Sequence, residues 1–509
     1  MSLDYLWQGF EIAFRFENLL YAVVGCFVGT LVGALPALGP VTAIALLLPI
    51  AYTSNVPVDS TLILLAAIYY GCDYGGRITS ILVNVPGDTG AVVTAFDGYP
   101  MARKGRAKDA LAISAITSFV GGILAVIGLT AFAPMLAKLA IRFGPAEYFV
   151  LILFAFSTLT SFAGEQPVKA ILGCALGSLL ATVGLDPTTG AYRFTFNEPQ
   201  LYEGIDMVAF IIGLFAIAEI LLVLASDEKR MQAPIAYEGR ISISADEAKA
   251  CVGPTLRGSF IGFIAGILPG AGSTIASMLS YSIEKQLGDR NGTFGHGDIR
   301  GVAGPEAANN GSAGGSFAPM LTLGVPGSAT TAVMLGALLL YNVQPGPQIF
   351  ITQPDLVGAL IASMYVGNVI LLIMNLPMIG LFVRMVSVPN WILMPTILAL
   401  GFIGVYSVFL SVLSMMLMLA IGVVGFILRA TGFGVAPIML GFVLGKILET
   451  NLRNGLATSN GDVTYFFSSV TSQILWVLIL AVLVLPPIFK WRRALKEATA
   501  RTAAPQPEA

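Results

Sequence analysis

Long apolar runs alternate with short polar interruptions along almost all of the 509-residue chain. The first set of runs lies near 18–35, 41–53, 60–96, 109–140, 147–163, 167–184 and 207–226. A second set lies near 258–286, 312–341, 354–384, 391–428, 434–449 and 466–489. About 20 apolar residues of helix cross a bilayer, so several runs hold two helices or a hairpin, and the pattern predicts roughly 12 to 14 passes. The chain divides into a first transmembrane region at 1–225, a polar linker at 226–257, a second transmembrane region at 258–489 and a tail at 490–509. Arg103, Lys104, Arg106 and Lys108 mark 103–108 as a cytoplasmic loop, and the linker and tail are expected on the same side. Residues 185–206 are mostly acidic or neutral and read as periplasmic.

Composition sharpens the class. The chain is 56% hydrophobic and 11% charged, whereas soluble domains carry about 25% charged residues. Its partner solvent is therefore the lipid bilayer, and with no basic tract it offers nothing to nucleic acid. Residues 1–16 lack the basic start and cleavage site of a secretory signal and read as an interfacial amphipathic lead-in. Cys26, Cys72, Cys174 and Cys251 form no CxxC pair and read as packing residues. His296, the sole histidine, lies in the polar FGHGD loop. No HExxH and no Walker A sequence is present, so an ATP-driven or metalloenzyme reading has no residues to stand on, and no cofactor or metal site is expected.

Two halves repeat a pattern. GTLVGALPALG at 29–39 aligns with GFIAGILPGAG at 262–272, pairing Gly29 with Gly262, Gly33 with Gly266 and Pro36 with Pro269. GCDYGGRITSILVNVPG at 71–87 aligns with GSAGGSFAPMLTLGVPG at 311–327, pairing Val85-Pro86-Gly87 with Val325-Pro326-Gly327. In hydrocarbon, a broken helix survives only where protein buries it or where it lines a cavity. Matching interruptions in two halves point to a transporter site near the bilayer midplane. Helix starts offer free N–H groups and a positive dipole end to an anion. Hydroxyls follow each break: Thr89 with Asp88, Ser328 with Thr330, Ser273 with Thr274, and Thr42. Each either caps its helix or donates to a bound anion.

At these residues the sequence resembles the large membrane subunit of the tripartite tricarboxylate transporters, the TctA family. The matching stretches include YYGCDYGGRITSILVNVPGDTGAVVTAFDGYPMARKGRAKDAL (69–111), LPGAGSTIASMLSYSIEK (268–285) and FGHGDIRGVAGPEAANNGSAGGSFAPMLTLGVPGSATTAVMLGALLLYNVQPGPQIF (294–350). The resemblance implies an all-α polytopic protein of a bacterial inner membrane that takes up citrate-like or other carboxylates. It also implies two partners, a small membrane subunit and a periplasmic binding protein that delivers the ligand. The expected architecture is two pseudo-repeats, inverted rather than parallel, each with a broken or re-entrant hairpin. Two rivals remain at this stage: a stand-alone carboxylate carrier or exporter, and an ion channel with re-entrant filter loops.

The expected substrate-binding set is Arg77, Asn84, Pro86, Gly87, Asp88, Thr89, Ser273, Thr274, Pro326, Gly327, Ser328 and Thr330. The family carries a small or hydroxyl residue where this chain has Arg77, and a neutral one near Asp73. Arg77 either pairs with Asp73 at i,i+4 or contacts the carboxylate itself. Glu306, Asn309 and Asn310, read as a Gly/Asn-rich turn, and Thr42 are candidates for a coupling Na⁺ or H⁺. Glu219 and Glu449, carboxylates in or at the end of apolar runs, are open between function and snorkelling.

Overall fold

The computed structural model of the chain describes residues 4–35, 38–162, 166–186, 188–225, 235, 241–289, 291–385 and 388–503. Pro36 of the first alignment, most of the linker's first half and the end of the tail lie outside these residues. Among the described residues the architecture is helical, with one two-stranded pairing of Gly184–Leu185 with Tyr192–Arg193. Eight helices among the described residues are long and apolar enough to span a membrane, and shorter apolar helices such as Pro40–Thr53 and Ala329–Leu340 accompany them. The chain is an all-α, multi-pass membrane protein.

Outer helices show lipid to one face. On Val412–Ala430, the exposed Val412, Met416, Leu419, Val423 and Ile427 recur every three or four residues, the stripe of a 3.6-residue helix against hydrocarbon. Two other long helices, Val58–Val83 and Arg300–Leu323, carry Asp73, Arg77, Glu306, Asn309 and Asn310 and are buried along nearly their whole length. Polar residues at bilayer depth are kept inside the bundle because lipid offers them no partner.

Glycine sets how closely the central helices meet. Helix Phe16–Ala34 packs on Val58–Val83, and Ala245–Ile267 packs on Arg300–Leu323. A Cβ added at Gly29 would lie 2.4 Å from the Ile68 carbonyl oxygen, and one at Gly33 2.2 Å from that of Cys72. In the second pair the Cβ positions of Gly262 and Gly266 lie 2.3 Å from the carbonyls of Ala308 and Ser312. Small residues let these backbones touch, which is how helices associate where lipid removes the hydrophobic drive.

The packing is also reciprocal. Helix Ala107–Ala140, from the first half, lies on Arg300–Leu323 in the second. Helix Pro354–Met385, from the second half, lies on Val58–Val83 in the first. Likewise Pro167–Leu180 packs on Val435–Thr458, while Val412–Ala430 packs on the Met207–Ala225 span.

Several boundaries differ from the sequence pattern. The run at 60–96 breaks after Val83, the run at 258–286 after Ile267, and the run at 391–428 at Leu410 in left-handed backbone. Helix Ala245–Ile267 begins inside the polar linker, where Ser244 and Glu247 form a reciprocal cap. The Gly/Asn-rich stretch expected as a turn is the middle of helix Arg300–Leu323. Glycine and proline disfavour an exposed helix, but here the small residues are what fit between packed backbones, and tertiary burial wins.

Candidate functional site

The breaks are built alike in the two halves. Helix Val58–Val83 ends on Asn84 at φ 59°, and Arg300–Leu323 ends on Gly324 at φ 67°. Each of these left-handed residues donates its N–H five residues back, to Thr79 O and Pro319 O. The chain therefore turns two residues before each Pro-Gly. Gly87 and Gly327 do not have the positive φ expected of turn tips. Their lack of a side chain answers a different need. A Cβ at Gly87 would lie 2.0 Å from Gly33 O and 2.6 Å from Gly76 Cα; one at Gly327 would lie 2.4 Å from Gly266 O and 2.8 Å from Ser316 Cα. Each second break is thus pressed onto the last turns of the helix before the first break. In the second half the two breaks are also hydrogen-bonded, Gly270 N–H to Gly327 O at 3.0 Å.

These four interruptions converge on one cavity of about 530 Å³. Pro86, Gly87, Asp88, Thr89, Ser273, Thr274, Ser328 and Thr330 of the expected substrate-binding set line it, together with Thr42 from the ion-coupling candidates. A larger cavity, about 690 Å³, lies beside Leu323, Leu335, Phe442 and Lys446 and contains none of them. The smaller cavity is the one at which the helix breaks and their hydroxyls meet. Within it Ser328 has a structural duty: its Oγ accepts from Thr331 N–H at 3.2 Å, and Thr331 Oγ1 accepts from Ser328 N–H at 2.9 Å. Tyr69 OH lies 3.3 Å from the same Oγ.

The remaining members of the expected set are not brought to the cavity wall. Asn84 is exposed and serves as a helix stop. Pro326 and Gly327 sit behind the wall. Arg77 is buried, with its guanidinium 4.3 Å from the centre of the Tyr74 ring, and the carboxylate whose field acts on it is Glu306, without an ion pair between them among the described residues. No Asp73–Arg77 ion pair forms among the described residues: Asp73 Oδ2 and Arg77 NH1 both lack hydrogen-bond partners. The i,i+4 pairing fails because Arg77 folds back over Tyr74 while Asp73 lines the cavity. Glu306 is held in the bundle, accepting from Thr94 Oγ1 and, at 2.9 Å, from Ser118 Oγ.

Asn309 and Asn310 lie next to this wall. Asn310 Nδ2 donates to Glu306 O at 3.2 Å, leaving its Oδ1 unpartnered. Asn309 is fully buried with neither amide atom hydrogen-bonded. A Cβ built on Gly90 would lie 2.1 Å from Asn309 Oδ1 and 2.8 Å from Ser273 Oγ. Asp88 Oδ2 accepts the Gly90 N–H at 3.0 Å, and its Oδ1 is buried without a partner. Three oxygen-bearing side chains from both halves therefore surround one glycine.

The other two carboxylates separate cleanly. Glu449 pairs with Arg193 at 2.6 Å and Arg453 at 2.7 Å, away from the cavity. Glu219 lines the cavity, paired with Arg429. Arg429 was invisible as a site residue in the sequence, because its partner lies 210 positions away. Asp97 receives N–H groups from Gly295, Gly297 and Asp298 at 2.9, 2.7 and 2.8 Å, tying the His296 loop of the second half to the first. His296 itself is exposed; its carbonyl accepts from Lys104 and its backbone N–H donates to Thr293 O at 3.1 Å.

Residues 19–440 match the family described as Tripartite tricarboxylate transporter TctA family. The chain is 44% identical over 477 residues to a protein of Agrobacterium vitis described as "Uncharacterized 52.8 kDa protein in TAR-I ttuC' 3'region", covering 94% of each chain. It is 42% identical over 234 residues to another from that organism, "Uncharacterized protein in TAR-II ttuC' 3'region", covering 46% of this chain and 97% of that one. No solved structure matches.

Proposed function

The chain belongs to the TctA family of tripartite tricarboxylate transporters, and on that premise we propose that it is the transporting subunit of a carboxylate uptake system in a bacterial inner membrane. A periplasmic binding protein delivers the substrate, a small membrane subunit accompanies this chain, and an ion gradient drives import. The observation that carries this reading is the convergence of four helix interruptions, two from each half, on one hydroxyl-lined cavity. Helix starts at Gly272 and Ala329 direct N–H groups toward that region, a source of positive potential that needs no buried charge.

The matched caps, the matched glycine contacts and the reciprocal packing support two pseudo-repeats related by an approximate two-fold, with the inverted arrangement preferred. Rocking one set of helices past the other would expose the cavity alternately to the two sides. Asp88, Asn309 and Ser273 around Gly90 are the coupling-cation candidates: hard oxygen donors, two of them with buried unpartnered atoms. The test is uptake of labelled citrate and succinate into membrane vesicles that contain this chain and the small subunit. Uptake that appears only with the binding protein supports the reading. Robust uptake without it makes the chain a stand-alone carrier.

A further inference from the structure

Among the cavity-lining residues Arg429 is the one cation, and it is not part of the repeated break motifs. It stands in the last turn of helix Val412–Ala430, while Glu219 lies just after a π-helical stretch, Ile212–Ile217, of the Met207–Ala225 span. Such π turns recur at functional sites. The two helices are clamped by glycine. A Cβ at Gly213 would lie 2.4 Å from Met418 O, and one at Gly422 2.4 Å from Ile217 Cγ2. This contact fixes Glu219 and Arg429 face to face at the cavity.

The pair is asymmetric. The Glu219 side chain is 10% exposed and that of Arg429 28%, so the guanidinium is the more open partner. Its NH1 donates to Glu219 Oε2, and no other partner engages its remaining donors among the described residues. A guanidinium carries five N–H donors in a planar fork that matches a carboxylate edge to edge. Most of that fork is unused. The other ionisable lining residues besides Glu219, Asp73 and Asp88, are carboxyl groups and offer an anionic substrate no counter-charge.

Resting on the carboxylate reading above, we propose that Arg429 is the cationic anchor for a substrate carboxylate, and that Glu219 is the intramolecular carboxylate it holds while the cavity is empty. Substrate entry exchanges one carboxylate for another on the same fork. Glu219 satisfies a charge that would otherwise stand unpaired in the bundle, and it sets a threshold: only an anion offering better geometry than Glu219 displaces it. Neutral solutes of similar size gain nothing from Arg429 and are rejected.

The test is equilibrium binding of labelled citrate and of labelled succinate to the full chain in nanodiscs, at fixed sodium and pH 7. Glu219→Gln removes the competitor, and its Kd is expected to fall about tenfold, equivalent to ~1.4 kcal/mol. Arg429→Gln is expected to lose saturable binding, and Arg429→Lys, which keeps charge without the fork, to fall between. If Arg429→Gln does not fold, the Glu219→Gln/Arg429→Gln double variant, which buries no unpaired charge, supplies the same comparison. Wild-type binding with an unchanged or weaker Glu219→Gln, or with full affinity in Arg429→Gln or the double variant, overturns the exchange and leaves the carboxylate reading standing. If neither wild type nor Glu219→Gln binds either acid, both fall together.

Discussion

Gly87 rests on the backbone carbonyl of Gly33 so closely that a methyl group there would come within 2.0 Å of the oxygen. Gly327 stands in the same relation to Gly266, at 2.4 Å. Neither contact has a flexible side chain that can yield. Gly87→Ala and Gly327→Ala are each expected to lose uptake and to lower thermal stability by about 1–3 kcal/mol, the usual range for overpacking. Gly367→Ala is the control, since its added methyl meets only Cys26 Sγ at 3.9 Å. Normal uptake by both tip variants would show that the breaks need not press on the preceding helices.

Arg77 answers to Glu306 and the Tyr74 ring rather than to Asp73. Arg77→Ala is therefore expected to lower the melting temperature, because it takes a cation away from the buried Glu306 carboxylate and packing away from the Tyr74 ring. Glu306→Gln should recover part of that loss in the double variant, and Asp73→Ala should recover none. Melting temperatures of the four proteins decide this, and a rescue by Asp73→Ala alone would restore the i,i+4 pairing.

Asn309 has two unpartnered amide atoms beside Gly90, Ser273 and Asp88. If this is the coupling site, Asn309→Ala raises the sodium concentration, or the proton concentration, needed for half-maximal uptake several-fold at saturating substrate. Coupled sites shift one another's affinity, so the apparent substrate affinity should weaken as the ion is withdrawn. Ion dependence unchanged by Asn309→Ala places coupling elsewhere.

The Asp186 carboxyl, in the loop outside the membrane, is held well below the usual carboxylate range by the Thr188 N–H and then by the Arg453 guanidinium. An unfolded aspartate titrates near about 3.9. Because the folded value is lower, the stabilisation is fully present above that range and disappears as pH falls through the folded value. Asp186→Asn should melt below wild type at pH 7, with the gap closing as the pH drops below about 4. A gap that stays constant with pH would contradict the ionic origin.

The glycine spacing and the Val-Pro-Gly repeats made the breaks legible in the sequence, since few physical reasons place such residues at bilayer depth. Nine of the expected residues, Thr89, Ser273 and Thr330 among them, line the cavity. The failures share a cause. Asn309 and Asn310 read as a turn because propensity is local, whereas the helix around them is held by backbone contacts to Gly262 and Gly266 across the bundle. Arg77 and Asp73 read as partners because spacing shows proximity along one helix but not the competing attraction of Tyr74 and Glu306. Arg429 carried no local signal, and only the folded chain brings it to Glu219.

A structure of the chain determined with citrate or succinate bound would locate the substrate outright. The expected result is ligand density in the cavity between the Thr89 and Thr330 hydroxyls and Arg429, with one carboxylate on the guanidinium fork. Density confined to the larger cavity beside Leu335 and Lys446, or further than about one helix diameter, ~10 Å, from both Gly87 and Gly327, would contradict a substrate site at the helix breaks.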